Sequence, residues 1–282
     1  MSEHPIAARW RAIRGEGGRR GGRGAPAGAG RAALIPYLTA GFPTPALSLE
    51  ALRRVAAAGA DFVEVGVPFS DPLADGPTIQ RSIQTALDQG MTLPGVLDLI
   101  RRAALEVPVI IMTYLNPVMA FGLERFVREA AAAGASGLLL TDLPAGADQT
   151  VESLVAASPL ALIRLIAPTT TPERLARAVQ GATGFLYLIS RLGVTGVRDQ
   201  VPADLPGHVA RVRAASPLPL AVGFGIGTAA QARAAARLAD GVVVGSAIID
   251  ALGAAGTSGG PGAAERLVRE LAAAVHEQGA TA

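Results

Sequence analysis

The chain contains no cysteine. That excludes disulfides, thiol catalysis and thiolate metal sites, and it fits an expected cytoplasmic enzyme. Lysine is absent as well: all 25 basic residues are arginine. Without a lysine amine there is no Schiff base, so neither a lysine-dependent aldolase nor a pyridoxal enzyme can reside in this chain. Histidine is scarce. His4, His208 and His276 are the full set, and two of them lie near the termini, so no multi-histidine metal site is expected. No apolar run approaches the roughly 20 residues of a membrane span, and the N-terminus has no apolar signal core, so neither a membrane nor secretion is expected. Acid–base work falls mainly to Asp, Glu or Tyr.

What is present is a 282-residue chain, half of it hydrophobic. One large domain accommodates that length, since barrels of about 250 residues do not split. Charge is uneven. Residues 1–31 hold seven Arg against Glu3 and Glu16, while the remainder carries a small net negative charge. The pI near 9.6 therefore reflects the N-terminal segment. Residues 15–30, GEGGRRGGRGAPAGAG, are too poor in apolar side chains to pack and read as a flexible Arg/Gly-rich insert. An RNA-binding tail is the alternative, but the Arg-Gly clusters are short and no aromatics interleave, so no nucleic-acid partner is expected. Residues 5–13 suit one short helix around Trp10. The chain thus divides into an N-terminal helix with its insert (1–31) and a main body (32–282).

From Ala33 onward, β-rich apolar runs alternate with Ala-rich helical stretches. The runs are 33–39, 61–67, 108–114, 136–141, 159–166, 184–189, 218–223 and 240–245. Helices are expected near 45–58, 77–89, 93–105, 121–133, 146–157, 171–179, 203–215, 228–238 and 262–277. Eight such runs predict a buried parallel sheet closed into a single-domain α/β (β/α)8 TIM barrel with an extra N-terminal helix. AAAGADFVEVGVP (56–68), AAAGASGLLLTDLP (131–144) and ARLADGVVVGSAI (236–248) share one outline, which marks repeated βα units. LGAAGTSGGPG (252–262) reads as a loop.

Three segments could carry chemistry. In EVGVPFSDPLADGPTIQ (64–80), strand alternation puts Phe62, Glu64 and Gly66 on one face and Val63, Val65 and Val67 on the other. The valines suit the helix layer, so Glu64 points into the barrel near its C-terminal mouth, where barrel enzymes keep their active sites. Burial there raises a carboxyl pKa and equips it to move protons near neutrality. A structural Glu is the bland alternative. Asp71 and Asp75 follow; one of them could cap the helix after Gly76, and the three acids together could hold Mg²⁺. Glycine-rich turns form the second signal: Gly223 to Gly227 after the seventh run, and Gly245-Ser246 after the eighth. In barrels these loops bind phosphate through backbone amides. Third, Ser190 to Pro202 could form a lid or an ordinary mobile loop. Tyr187, just before it, is either a core aromatic or a pocket wall.

The 64–80 string closely resembles the signature of the tryptophan synthase alpha chain family. LIPYLTAG (34–41), TYLNPV (113–118), TDLP (141–144), YLISRLGVTG (187–196), GFGI (223–226) and GSAI (245–248) follow in family order. The resemblance implies a lyase that splits indole-3-glycerol phosphate into indole and glyceraldehyde 3-phosphate. It implies catalytic roles for Glu64 and Asp75, a pocket floor at Tyr37, a substrate contact at Tyr187 and a lid residue at Thr195. It also implies phosphate binding at Gly196, Gly225, Gly245 and Ser246. No metal or cofactor is implied in this chain; pyridoxal phosphate would sit in a beta subunit partner, within an αββα assembly. Asp71, Asn116 and Pro144 fall in segments that face that partner. The insert at 15–30 and the 252–262 stretch depart from the family pattern. Two further readings stand beside this one: a non-catalytic regulator that binds a phosphorylated ligand, and another phosphosugar enzyme on the same barrel.

Overall fold

The computed structural model describes residues 3–15, 30–189, 202–223, 225–254 and 256–277. Eight strands appear among them: β1 (Ala33–Thr39), β2 (Val63–Gly66), β3 (Val109–Thr113), β4 (Ala135–Leu140), β5 (Ala161–Ile166), β6 (Leu186–Ile189), β7 (Leu220–Gly223) and β8 (Gly241–Val244). They pair in chain order and close, with β8 parallel to β1. The helices are α1 (Pro5–Arg14), α2 (Pro45–Ala57), α3 (Pro77–Asp88), α4 (Leu93–Ala103), α5 (Leu115–Phe121), α6 (Leu123–Ala133) and α7 (Gln149–Ala156). The rest are α8 (Pro172–Gln180), α9 (Leu205–Ala215), α10 (Ala229–Leu238), α11 (Ser246–Ala254) and α12 (Gly256–His276).

Alternation along the strands separates two cores. Val63, Val65, Ile111, Leu138 and Val242 face outward into the helix layer. Ala33, Ile35, Phe62, Ile110, Leu139, Ile163, Phe185 and Val243 fill the barrel interior. Ile6, Trp10 and Ile13 join that inner cluster, so α1 stops the barrel's lower end. The Trp10 ring lies 4.9 Å from Phe62 and 5.7 Å from Phe185.

Two members of the internal repeat, those before β2 and β8, share with the turn before β6 one clip between strands. Asp61, Thr183 and Asp240 each precede a strand and clip onto an earlier or neighbouring one. Asp61 accepts from the Leu34 amide at 3.0 Å, Thr183 Oγ1 from Leu162 at 2.7 Å, and Asp240 from Leu220 at 2.8 Å. The backbone amide of each donates back to the same residue's carbonyl. Arginines complete the lower rim: Arg9 and Arg31 reach Asp61, and Arg14 and Arg213 reach Asp240.

Two expectations are corrected. The stretch expected as one helix over 121–133 is preceded by α5, and the two helices break at Gly122, whose φ is +95°. The 252–262 stretch is not a loop: α11 runs to Ala254 and α12 starts at Gly256, with Pro261 inside it. Packing outweighs the weak propensity here. Ala264, Val268, Leu271 and Val275 are fully buried. Gly260 permits the close approach, since a Cβ there would stand 2.4 Å from the Leu252 carbonyl oxygen. Most of the Arg/Gly-rich insert (16–29) and the candidate lid (190–201) lie outside the described residues.

Candidate active site

β2 delivers Glu64 to the inner face, as alternation predicts. Its neighbours Val63 and Val65 face the helices, and Glu64 itself is 3 % exposed. Among the described residues no cation pairs with it. Burial, and then the charge of Asp75, push its pKa up to about 8. A carboxyl in that condition is a neutral acid at pH 7 that can release and recover a proton.

Asp75 sits on the loop between β2 and α3. The Tyr114 hydroxyl donates to its Oδ2 at 2.6 Å, and Tyr114 in turn accepts from the Ala74 amide at 3.0 Å. Gln80 Nε2 donates to the Asp75 carbonyl at 2.9 Å. Burial raises the Asp75 pKa while the Tyr114 bond opposes the rise. Asp75 does not cap α3: the capping residue is Gly76, without a side-chain bond. Nor do the acids form an ion site. Among the described residues no group of three or more His, Asp or Glu is placed to hold a metal.

Tyr37 and Tyr187 complete the mouth by a shared device. Each leans over the next strand at a glycine. A Cβ on Gly66 would stand 2.1 Å from the Tyr37 hydroxyl, and one on Gly223 would stand 2.4 Å from that of Tyr187. Burial raises both phenols well above 10, with the charges of Asp75 and Glu64 adding to the rise, so both stay protonated. Tyr187 packs against the inner core of the barrel.

The glycine turns open onto the same end. Gly225 has φ +32°, and the Gly227 and Thr228 amides are already taken by Gln231 Oε1 at 2.8 and 3.1 Å. Only the earlier part of that turn is left for an anion. Gly245 lies against the Tyr37 ring: a Cβ there would be 3.5 Å from Cδ1. Ser246 begins α11; the Ile248 and Ile249 amides of its first turn bond the Gly245 carbonyl at 2.9 and 3.1 Å, which leaves only the amides of Ser246 and Ala247 in that turn to meet an anion. Thr195 and Gly196 lie outside the described residues.

Tyr114 is the residue that sequence reasoning missed, although it stands inside the quoted TYLNPV string. A usable signal existed. The chain has three tyrosines, and each belongs to a βα unit of the barrel: Tyr37 on β1, Tyr114 just after β3, and Tyr187 on β6.

A closed barrel with a neutral glutamic acid and a tyrosine-held aspartate at its C-terminal mouth defines a (β/α)8-barrel enzyme of acid–base type. The sequence profile of the tryptophan synthase alpha chain family matches residues 26–277. The chain belongs to that family. It is 50% identical to the tryptophan synthase alpha chain of Caulobacter sp. (strain K31), over 80% of this chain and 83% of that one. Against the alpha chain of Chloroflexus aggregans (strain MD-66 / DSM 9485) it is 45% identical, over 87% and 93%. A tryptophan synthase structure from Mycobacterium tuberculosis superposes with a TM-score of 0.85 at 37% identity, covering 98% of this chain and 99% of that one. An alpha chain structure from Legionella pneumophila subsp. pneumophila gives 0.85 at 32%, covering 99% and 100%. The family's reaction is a lyase step of tryptophan biosynthesis, the cleavage of indole-3-glycerol phosphate to indole and glyceraldehyde 3-phosphate. No comparison favours the regulator or the alternative phosphosugar enzyme.

Proposed function

We propose that Glu64 and Asp75 divide the cleavage between them. Glu64 gives its proton to C3 of the indole ring, which makes the ring an electron sink. The resulting carboxylate takes the proton of the adjacent substrate hydroxyl as the carbon–carbon bond breaks. The bond's electrons restore neutral indole, the hydroxyl carbon becomes the aldehyde, and Glu64 ends as it began. Positive character develops on the indole nitrogen meanwhile, and Asp75 stabilises it by accepting the N–H. Tyr37 and Tyr187 wall the ring. Gly225, Gly245 and Ser246 hold the phosphate by backbone amides, and the roles that the resemblance implies for Thr195 and Gly196 fall on residues outside those described. The observation that carries this reading is the buried Glu64, unpaired by any described cation, beside an aspartate pinned by Tyr114.

The product indole is apolar and needs a receiver. A beta subunit in an αββα assembly supplies one, and pyridoxal phosphate belongs there because this chain has no lysine to hold it. Leu73, 92 % exposed, and Met119, 52 % exposed, lie in the same segments as Asp71 and Asn116 and suit that contact. Next to Leu73, a cleft of about 500 Å³ between the β2–α3 loop and α3 is lined by Phe69, Asp71, Pro77 and Arg81. A cytoplasmic location fits the absence of cysteine. Among the described residues no helix is long and apolar enough to cross a membrane.

The test is indole release from indole-3-glycerol phosphate, with and without a beta subunit. Glu64→Gln is expected to lower kcat by roughly 10²–10⁴ while KM stays within a few-fold. Turnover at the wild-type rate by that variant removes the role given to Glu64.

A further inference from the structure

The grip of Tyr114 on Asp75 is itself held from the next loop. Tyr114 stands between β3 and α5 and occupies the N-cap position of that helix, with φ −97° and ψ 160°. An N-cap side chain ordinarily accepts from a first-turn amide, and short polar side chains do this best. The Tyr114 side chain makes no such bond; its hydroxyl reaches instead to the β2–α3 loop, where it accepts from Ala74 and donates to Asp75. The acceptor for α5 comes from elsewhere. Asp142, two residues past β4, takes the Leu115 amide on its Oδ1 at 2.7 Å.

The peptide on the other side of Tyr114 is held from the same loop. The Thr141 amide donates to the Thr113 carbonyl at 3.0 Å, and the Thr141 hydroxyl donates to it at 3.3 Å. Peptide groups are planar, so only φ and ψ are free at a residue. The Thr113 carbonyl belongs to the plane before Tyr114, and the Leu115 amide to the plane after it. Holding both planes fixes φ and ψ of Tyr114, and with them the direction in which its side chain leaves the backbone. Asp142 is a firm post for this purpose. Thr141 before it is tied to β3, and the Leu143 carbonyl after it accepts from Arg164, itself 4 % exposed, at 3.3 Å. Phe69, early in the β2–α3 loop, packs on the Tyr114 ring with centroids 5.2 Å apart. A shift of Tyr114 therefore reaches both ends of the loop that carries Asp75.

We propose that Asp142 is a positioning residue for the reaction: by supplying the cap that Tyr114 does not give its own helix, it aims the Tyr114 hydroxyl at Asp75 and so fixes where the aspartate meets the indole N–H. Asp142 acts through the backbone and not on the substrate. What the place requires is an acceptor oxygen, not a charge. This rests on Asp75 as the group that stabilises the indole nitrogen.

The test uses the full-length chain alone, so that docking of a partner does not enter. The protein is labelled with ζ-¹³C tyrosine. It has three tyrosines, and the Tyr114 resonance is assigned by its loss in Tyr114→Phe. Asp142 is exposed, so Asp142→Ala leaves the core intact. That variant is expected to shift or broaden the Tyr114 resonance while those of Tyr37 and Tyr187 stay. It is expected to lower kcat for indole release about 10-fold, with KM within a few-fold. Asp142→Asn keeps an oxygen acceptor and is expected to hold kcat within about twofold of the wild type. In a Tyr114→Phe background, Asp142→Ala is expected to cost nothing further. An unmoved Tyr114 resonance in Asp142→Ala overturns the proposal. So does a loss in Asp142→Asn as large as in Asp142→Ala, or an Asp142→Ala loss that is undiminished without the Tyr114 hydroxyl. Failure of the underlying reading looks different: Asp75→Asn would then turn over substrate at the wild-type rate, while the Tyr114 resonance still moves in Asp142→Ala.

Discussion

At the scale of single residues, Glu64 sets function against stability. Its pKa in the folded chain is about 8, above the ordinary 4.5. The unfolded chain ionises it freely above pH 4.5, whereas the folded chain resists ionisation until about pH 8. Stability contributed by the neutral form is therefore fully present below pH 4.5 and is lost as pH rises toward 8. Glu64→Gln removes that loss. The variant is expected to match the wild type near pH 4.5 and to exceed it at pH 8 by on the order of 3 kcal/mol in urea unfolding. Equal or lower stability at pH 8 would contradict the buried, neutral acid. Alternation along residues 62–67 was enough to place this side chain inward. The role of Tyr114 was not legible in that way. Its hydroxyl, on the residue between β3 and α5, meets Asp75 from 39 residues away, and no short window of sequence holds both.

At the scale of elements, α1 is a stopper as well as an appendage. Its apolar face, Ile6, Trp10 and Ile13, is continuous with the barrel interior, and Trp10 is 3 % exposed. Trp10→Ala is expected to cost about 3–5 kcal/mol by chemical denaturation, because the lower end of the barrel cannot collapse to fill the space. A cost below about 1 kcal/mol would mean that α1 docks only loosely. The helix around Trp10 was visible in the sequence; its seat beneath Phe62 and Phe185 was not. The α11–α12 region shows the reverse error. Gly, Ser and Pro over 252–262 have loop composition, yet burial of α12 against α2, α10 and α11 imposes helix there.

At the scale of the whole molecule, Asp61 joins the two ends of the chain. It receives Arg9 from α1, a two-pronged Arg31 before β1, the Leu34 amide and His276 from the last turn of α12. Burial alone would raise its pKa, but the bonds from Arg31 and His276 overcome that and hold the carboxyl below its usual range. The stability it provides is present above about pH 4 and lost as pH falls through the depressed value. Asp61→Asn strands two arginines beside a fully buried amide. It is expected to destabilise by roughly 3–5 kcal/mol and to raise amide exchange in α1 and the end of α12 together. Exchange that rises in only one of them would separate the two ends.

By itself, the order of amino acids determined the number of βα units, which strand faces turn inward, and the motifs at the strand ends. Those properties follow from the two-residue repeat of strands and the chemistry of turns, which neighbouring residues decide. Only the tertiary structure decided what meets across the barrel: Tyr114 on Asp75, α1 under Phe62, and one aspartate holding both the first and the last described helix. Closing the sheet brings together side chains far apart in the chain, and whether they touch depends on register and on the space that glycines leave, which no short window of sequence contains.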